Sequence, residues 1–106
     1  MSIPKLSPEE RAEALKRAAE ARQKCAAFRK EISDGHLTAE AALSDEYRLD
    51  PAIGRIRVAS FVKAFPGIGP VRAASMMEEA GVAETRRLRG LGRRQVDKLK
   101  VLLATD

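Results

Sequence analysis

The sequence predicts an all-α protein of about five helices. Apolar residues recur at spacings of three and four in several windows, and no window alternates polar and apolar residues over the length of a strand. Glycine and proline residues separate these windows. Because a chain of 106 residues suits one domain with a modest core, we expect residues 1–106 to form a single domain.

The first predicted helix is the longest and spans residues 8–32. The letters SPEE at residues 7–10 supply a serine N-cap, a proline at the first helical position and a glutamate three residues after the cap. We expect ion pairs such as Glu20–Lys24 and alanine helix propensity to support its first half, and bulky residues to dock its second half on the core. Its apolar stripe consists of Ala14, Ala18, Ala21, Cys25, Phe28 and Ile32.

A short second helix is expected from Thr38 to about Tyr47, with Thr38 as its N-cap. Leu37, Ala41 and Leu43 would then face the core. Glycine and proline breaks on both sides limit the length of this helix.

Three further amphipathic windows predict the remaining helices. The first ends at Phe65, before a Pro-Gly pair, the second ends before Gly81, and the third begins at about Arg93. The apolar residues of these windows are Val58, Phe61, Val62 and Phe65, then Ala73, Met76, Met77 and Ala80, then Val96, Leu99, Leu102 and Leu103.

Composition excludes several classes of function. No uncharged apolar stretch approaches the roughly 18 residues of a membrane-spanning helix, and the first ten residues lack the apolar segment of a signal peptide. One cysteine and one histidine cannot form a disulfide, a thiolate cluster or a multi-histidine metal site. No nucleophile has a base nearby in sequence. We therefore expect a cytoplasmic protein with no catalytic site, metal or cofactor.

Positive charge is concentrated in the second half of the chain. Residues 55–100 hold eleven basic and four acidic residues, a net charge of +7, whereas residues 1–54 hold nine and ten. The whole chain has twenty basic and fifteen acidic residues, a net charge of +5. This asymmetry favours a negatively charged partner for the second half.

Residues 65–73, FPGIGPVRA, form a segment that we call the glycine hairpin. Gly67 and Gly69 permit backbone conformations that other residues avoid, so successive N–H groups can point outward just before a helix N-terminus. Such a hairpin can bind a phosphate, although glycines in a tight turn also serve close helix packing. It lacks the third glycine of a dinucleotide-binding fingerprint and the Gly-Lys-Ser/Thr of a P-loop, which excludes both of those loops.

Residues 85–94, TRRLRGLGRR, form a second segment that we call the arginine segment. It carries five arginines and no acidic residue, and we expect Leu88 and Leu91 to attach it to the core. A run of charge is often only a solvated face, but this run lies on a loop with glycines, and arginine guanidinium groups suit phosphate oxygens. Together with the glycine hairpin it predicts a phosphate-binding surface. Arg55 and Arg57, just after Gly54, either extend this surface or are ordinary solvent-exposed residues, and the sequence favours neither.

The chain resembles the actinobacterial integration host factor family over nearly its whole length. The resemblance rests on PKLSPEER at residues 4–11, the alanine-rich first helix, GRIRV at 54–58, PGIG at 66–69 and, most specifically, TRRLRGLG at 85–92. Residues 61–103 are also similar to the helix-two-turns-helix module of ribosomal protein S thirteen, which is related to the helix-hairpin-helix motif. Residues 33–52 depart from the family pattern, and Arg93 stands where the family commonly has a polar or acidic residue.

The resemblance implies a small nucleoid-associated protein with a helix-two-turns-helix module at residues 55–103. Such a protein binds duplex DNA with little sequence preference, bends, bridges or compacts it, and takes part in supercoiling control and site-specific phage integration. We expect a monomer, and the sequence leaves open whether it bridges two duplexes. The expected DNA-binding residues are Arg55, Arg57, Gly67, Ile68, Gly69, Val71, Arg72, Arg86, Arg87, Arg89, Arg93 and Arg94.

Two alternative functions stay open at this point. One is binding of ribosomal RNA in the small subunit, although the long alanine-rich helix is a poor match for that family and residues 101–106 add no basic side chain. The other is a helical protein-interaction module, which would expose an apolar patch and would show no salt-sensitive binding of DNA.

Overall fold

The computed structural model describes residues 7–104, and the protein is all-α there, as predicted. Two 3₁₀ turns, Ile53–Arg55 and Leu88–Gly90, precede the fourth and sixth helices. Residues 4–6 of the PKLSPEER pattern lie outside the described residues. None of the described helices is both long and apolar enough to span a membrane. The α-helices are α1 (Pro8–Ser33), α2 (Ala39–Ala42), α3 (Asp45–Arg48), α4 (Val58–Lys63), α5 (Pro70–Ala80) and α6 (Arg93–Ala104).

Helix α1 begins with the predicted cap. The Ser7 hydroxyl accepts the Glu10 backbone N–H at 3.1 Å, and the Glu10 carboxylate accepts the Ser7 backbone N–H at 3.3 Å. Only Phe28 and Ile32 are buried on this helix. The second half of α1 therefore docks on the core, as its bulkier apolar residues predict.

The ion pair predicted within α1 is replaced by a tertiary one. Lys24 pairs with the Asp50 carboxylate, in the loop before the first 3₁₀ turn, and not with Glu20. Asp50 Oδ1 also accepts the backbone N–H groups two and three residues ahead, at 2.8 and 3.0 Å. A carboxylate held in this way, with a side chain only 14% exposed, is a better partner than an exposed carboxylate on the same helix. The contact joins α1 to the loop.

The single second helix predicted at residues 38–47 is wrong, because the chain forms two short helices there. Thr38 caps α2 as predicted, and its hydroxyl accepts the Ala41 N–H at 3.2 Å. Leu43 then leaves the helix with its side chain 1% exposed, and Ser44 is extended (φ −65°, ψ 159°) at the start of α3. Ala41, predicted to face the core, is exposed. The buried alanines of α2 are Ala39 and Ala42.

Aromatic packing fixes α1 against α4. The rings of Phe28 and Phe61 stack with their centroids 6.1 Å apart, and Phe65 meets Phe61 edge-on at 5.3 Å. Helix α4 ends at Lys63, two residues earlier than predicted, because the residue before a proline disfavours the helical backbone. Phe65 still packs against the core from outside the helix.

A short backbone pairing attaches the arginine segment to the residues before α4. The Val58 N–H donates to the Arg86 carbonyl at 2.9 Å, and the Leu88 N–H donates to the Ile56 carbonyl at 3.0 Å. Between these bonds lies an isolated antiparallel bridge of Arg57 with Arg87. Helix α5 packs against both α4 and α6. These three helices therefore hold the glycine hairpin, between α4 and α5, and the arginine segment, between α5 and α6.

We expect Gly54→Ala to destabilise the fold. A Cβ at Gly54 would lie 2.6 Å from the Arg48 carbonyl oxygen and 3.1 Å from Arg89 Cβ, so the backbone must shift. The loss should be about 1–3 kcal/mol in urea unfolding. Gly69→Ala is the control, because Gly69 has φ −89° and a Cβ there would meet no other group within 4 Å, so it should change stability by less than about 0.5 kcal/mol. Equal losses in the two variants would contradict this packing.

We also expect Asp50 to make stability depend on acid pH. The Lys24 ammonium and the two backbone N–H donors hold the pKa of the Asp50 carboxyl below its usual value. A depressed folded-state pKa gives stabilisation that is complete above the unfolded pKa, about 3.9, and is lost as the pH falls through the folded pKa. The difference in Tm between the wild type and Asp50→Asn should therefore shrink below about pH 4. A difference that stays constant into the acid range would contradict the role of this carboxylate.

Candidate nucleic-acid interface

The arginine segment presents its cations to solvent from a fixed backbone. Leu88 is fully buried and Leu91 nearly so, as predicted. The second 3₁₀ turn lies between the segment's bridge with Arg57 and the start of α6. The exposed arginines of the segment are Arg86, Arg87, Arg89, Arg93 and Arg94.

Two of these arginines also have structural contacts that the sequence did not predict. Arg86 Nη1 donates to the Gly90 carbonyl at 3.1 Å, and Arg87 Nη1 donates to the Arg55 carbonyl at 2.8 Å. A guanidinium group has five N–H donors, so each of the two keeps four for a ligand. No carboxylate in residues 7–104 forms a salt bridge with an arginine of the segment. The bonds orient the side chains without neutralising them.

The structure brings Arg55 and Arg57 to the arginine segment. Arg57 is the bridge partner of Arg87, and the Arg55 backbone carbonyl accepts a hydrogen bond from the Arg87 side chain. Arg89 lies beside the first 3₁₀ turn, where only the missing side chain of Gly54 allows this approach. Arginines that are about thirty residues apart in sequence thus form one basic surface.

The glycine hairpin differs from its prediction in two respects. Gly67 has φ +80°, which favours glycine, but Gly69 is in an ordinary extended conformation with φ −89°. The Ile68 side chain is only 8% exposed, and its N–H donates to the Phe65 carbonyl at 3.3 Å and is not free for a ligand. Ile68 therefore fixes the hairpin to the core.

Three backbone amides of the hairpin remain available to a ligand. The N–H groups of Gly67, Gly69 and Val71 have no hydrogen-bond acceptor within the described part of the chain. The Val71 side chain is 85% exposed, and Arg72 is exposed next to it. Unpaired amides at the start of a helix are suited to an anion.

The helix N-termini of the two halves of the protein differ in charge. Helix α1 has Glu9 and Glu10 in its first turn, where they offset the positive end of the helix dipole. Helices α5 and α6 have no acidic residue in the first turn, and α6 has Arg93 and Arg94 there. The positive potential at these two N-termini is therefore left for an external anion.

Arg57 pairs with the arginine segment and shares a cleft with the start of α5, which follows the glycines of the hairpin. Apart from its bridge with the arginine segment, it lines a cleft of ≈ 670 Å³ together with Lys63 of α4 and Pro70, the first residue of α5. Glu78 and Glu84 line the same cleft. An anion would therefore bind along the basic rim and not in the cleft itself.

Sequence reasoning missed two arginines that come from α1. Arg22 and Arg29 line a groove of ≈ 860 Å³ together with Arg55 and Arg89. Their spacing of seven places them on one helical face, but only the tertiary fold brings that face to the turns. The basic surface therefore continues from the turns onto α1.

Cys25 is not a reactive or metal-binding group in this structure. Burial raises the pKa of its thiol, and Sγ donates to the Ala52 carbonyl at 3.3 Å. At neutral pH the thiol is therefore protonated, and the thiolate is the form that attacks or binds metal. Residues 7–104 contain no group of three or more His, Cys, Asp or Glu that could hold a metal ion.

Several known proteins are similar to this chain. The S13-like H2TH domain matches residues 36–102. The integration host factor of Streptomyces coelicolor is 36% identical over 100 residues, which cover 94% of this chain and 92% of that protein. The integration host factor of Mycobacterium tuberculosis is 39% identical over 95 residues, or 90% of each chain.

A solved structure gives the same relationship in three dimensions. The structure of sIHF bound to an 8-bp palindromic DNA is similar with a TM-score of 0.77 at 30% identity, over 83% of this chain and 98% of that one. The sequence relatives cover almost the full length of both proteins, and the domain match includes both turns of the basic surface. This chain therefore contains an S13-like H2TH domain and belongs to the integration host factor family.

Proposed function

We propose that this protein binds duplex DNA through the sugar-phosphate backbone, with little sequence preference, as an architectural protein of the nucleoid. One observation carries the proposal: the free amides of the glycine hairpin lie at the start of α5, whose first residue shares a cleft with Arg57, and Arg57 is the bridge partner of the unneutralised arginine segment. The structure of sIHF, which has this fold and is bound to DNA, supports duplex DNA as the ligand.

In this proposal the two segments bind phosphates in different ways. The amides of Gly67, Gly69 and Val71 donate to one phosphate, assisted by the N-terminus of α5. Guanidinium groups of Arg55, Arg57, Arg72 and the arginine segment donate to further phosphates as charged forks. Contacts to phosphates carry no direct sequence information, so binding should tolerate most sequences.

The proposed output of binding is a change in DNA shape. In this proposal a curved duplex contacts the hairpin amides and the arginine segment together, and so gains phosphate contacts that a straight duplex lacks. Bending a site of 20–30 bp by 40–90° costs about 1–6 kcal/mol, which the additional contacts would have to offset. The proposal includes a monomer as the binding unit, compaction or bridging of DNA, and the roles in supercoiling control and phage integration that the family resemblance implies.

A salt titration tests the proposal. If six to ten phosphates are neutralised, the affinity for a duplex should fall by about 10³–10⁵ between 50 and 200 mM salt, and a scrambled duplex should behave alike. Affinity that is flat across this range would contradict the proposal. Preference for structured ribosomal RNA over duplex DNA would favour the ribosomal alternative.

The same titration with the Arg89→Ala variant tests whether Arg89 contacts a phosphate. Arg89 has no hydrogen bond or salt bridge within the described residues, and alanine keeps the Cβ that packs at Gly54, so the fold should persist. The variant should bind more weakly, and the slope of log affinity against log salt should decrease by about one. Arg17→Ala is the control, because Arg17 is an exposed arginine of α1 outside the basic surface, and its slope should be unchanged. Equal slopes for all three proteins would contradict a contact from Arg89.

A further inference from the structure

The groove between α1 and the two 3₁₀ turns has four arginines around it. Arg22 and Arg29 lie two helical turns apart on α1, about 10 Å along the axis, and Arg55 and Arg89 lie on the opposite wall. Two contacts hold the walls together, namely the Lys24–Asp50 ion pair and the bond from Cys25 Sγ to the Ala52 carbonyl. The groove is therefore a fixed feature of the fold.

The four guanidinium groups of the groove have no ion-pair partner among the described residues. None of them forms a salt bridge or a side-chain hydrogen bond there. The nearest acidic side chain in the adjoining loop, Asp50, is engaged by Lys24 and by two backbone N–H groups. Four unpaired arginines at one concave site indicate a ligand with several negative charges.

The floor of the groove indicates a second property of the ligand. The floor consists of Cys25 and Ala26 on α1, between Arg22 and Arg29, and of Pro51 and Ala52 on the facing side. Such small apolar groups leave room for a flat ring and gain nothing from a bare phosphate. The groove volume of ≈ 860 Å³ is within the usual range for small-molecule sites, about 300–1,000 Å³.

We propose that this groove binds a nucleoside polyphosphate, with its phosphates on the four arginines and its base on the apolar floor. Since Arg55 and Arg89 also belong to the proposed DNA surface, the bound nucleotide displaces DNA. The displacement rests on the proposed function, whereas the binding of the nucleotide does not.

Titration calorimetry with ATP, without divalent cations, tests whether the groove binds a nucleoside polyphosphate. Inorganic tripolyphosphate is the comparison ligand, because it has the phosphates but no base. We expect saturable binding of ATP, with tripolyphosphate at least about fivefold weaker because burial of the base on the apolar floor contributes affinity. Arg22→Glu and Arg29→Glu should each weaken ATP by about tenfold or more. Ala26→Trp, at an exposed position of the floor, should weaken ATP by filling the space of the base. Arg17→Glu, with the same charge change on another face of α1, should bind ATP within about twofold of the wild type.

Three results would overturn the inference: no saturable binding of ATP, equal affinity for ATP and tripolyphosphate, or Arg22→Glu weakening duplex DNA as much as it weakens ATP. The last result would assign the groove to DNA. A displacement assay at low salt completes the test, because ATP should release a labelled duplex from the wild type and much less from Arg22→Glu. If the wild type binds no duplex in the salt titration, the proposed function fails, while calorimetry still decides whether the groove binds nucleotides.

Discussion

The basic surface depends on one short pairing of backbone, in which the residues before α4 bond to the arginine segment at 2.9 and 3.0 Å. This pairing lets Leu88 enter the core and sets Arg57 beside Arg87. The arginines before α4 and those of the arginine segment therefore lie on one rigid part of the backbone. Carbonyl oxygens then orient two of the side chains without cancelling their charge. Bringing together so many cations costs electrostatic free energy, and a bound polyanion recovers it.

Most of the helical architecture could be predicted from the sequence, because it follows from local signals. The capping box at Ser7, the apolar periodicity of α5 and α6 and the Pro-Gly stop after α4 all act within a few residues. The split between α2 and α3 could not be predicted, since the burial of Leu43 depends on the packing of distant elements. The Lys24–Asp50 pair is likewise tertiary, and it replaces a pair that helix spacing alone would favour.

In the candidate site, too, local features could be predicted from the sequence and tertiary ones could not. The arginine segment became a candidate through its charge, its position on a loop with glycines and the neighbouring glycine hairpin. Membership of the integration host factor family agrees with the absence of a catalytic constellation in the sequence. The sequence did not show that the Ile68 amide is bonded within the turn and that its side chain belongs to the core. Arg22 and Arg29 were missed because they are ordinary solvent-facing residues of a long helix until the turns fold against them. Residues that act through tertiary proximity leave no local signal.

The central claim is that the hairpin amides and the arginines contact the same duplex at the same time. Nuclear magnetic resonance of the ¹⁵N-labelled protein during titration with a short duplex measures this directly. The account predicts that the backbone amide signals of Gly67, Gly69 and Val71 and the side-chain Nε signal of Arg89 shift together and saturate at one DNA concentration. Shifts confined to only one of the two segments, or hairpin amides that do not respond, would contradict it.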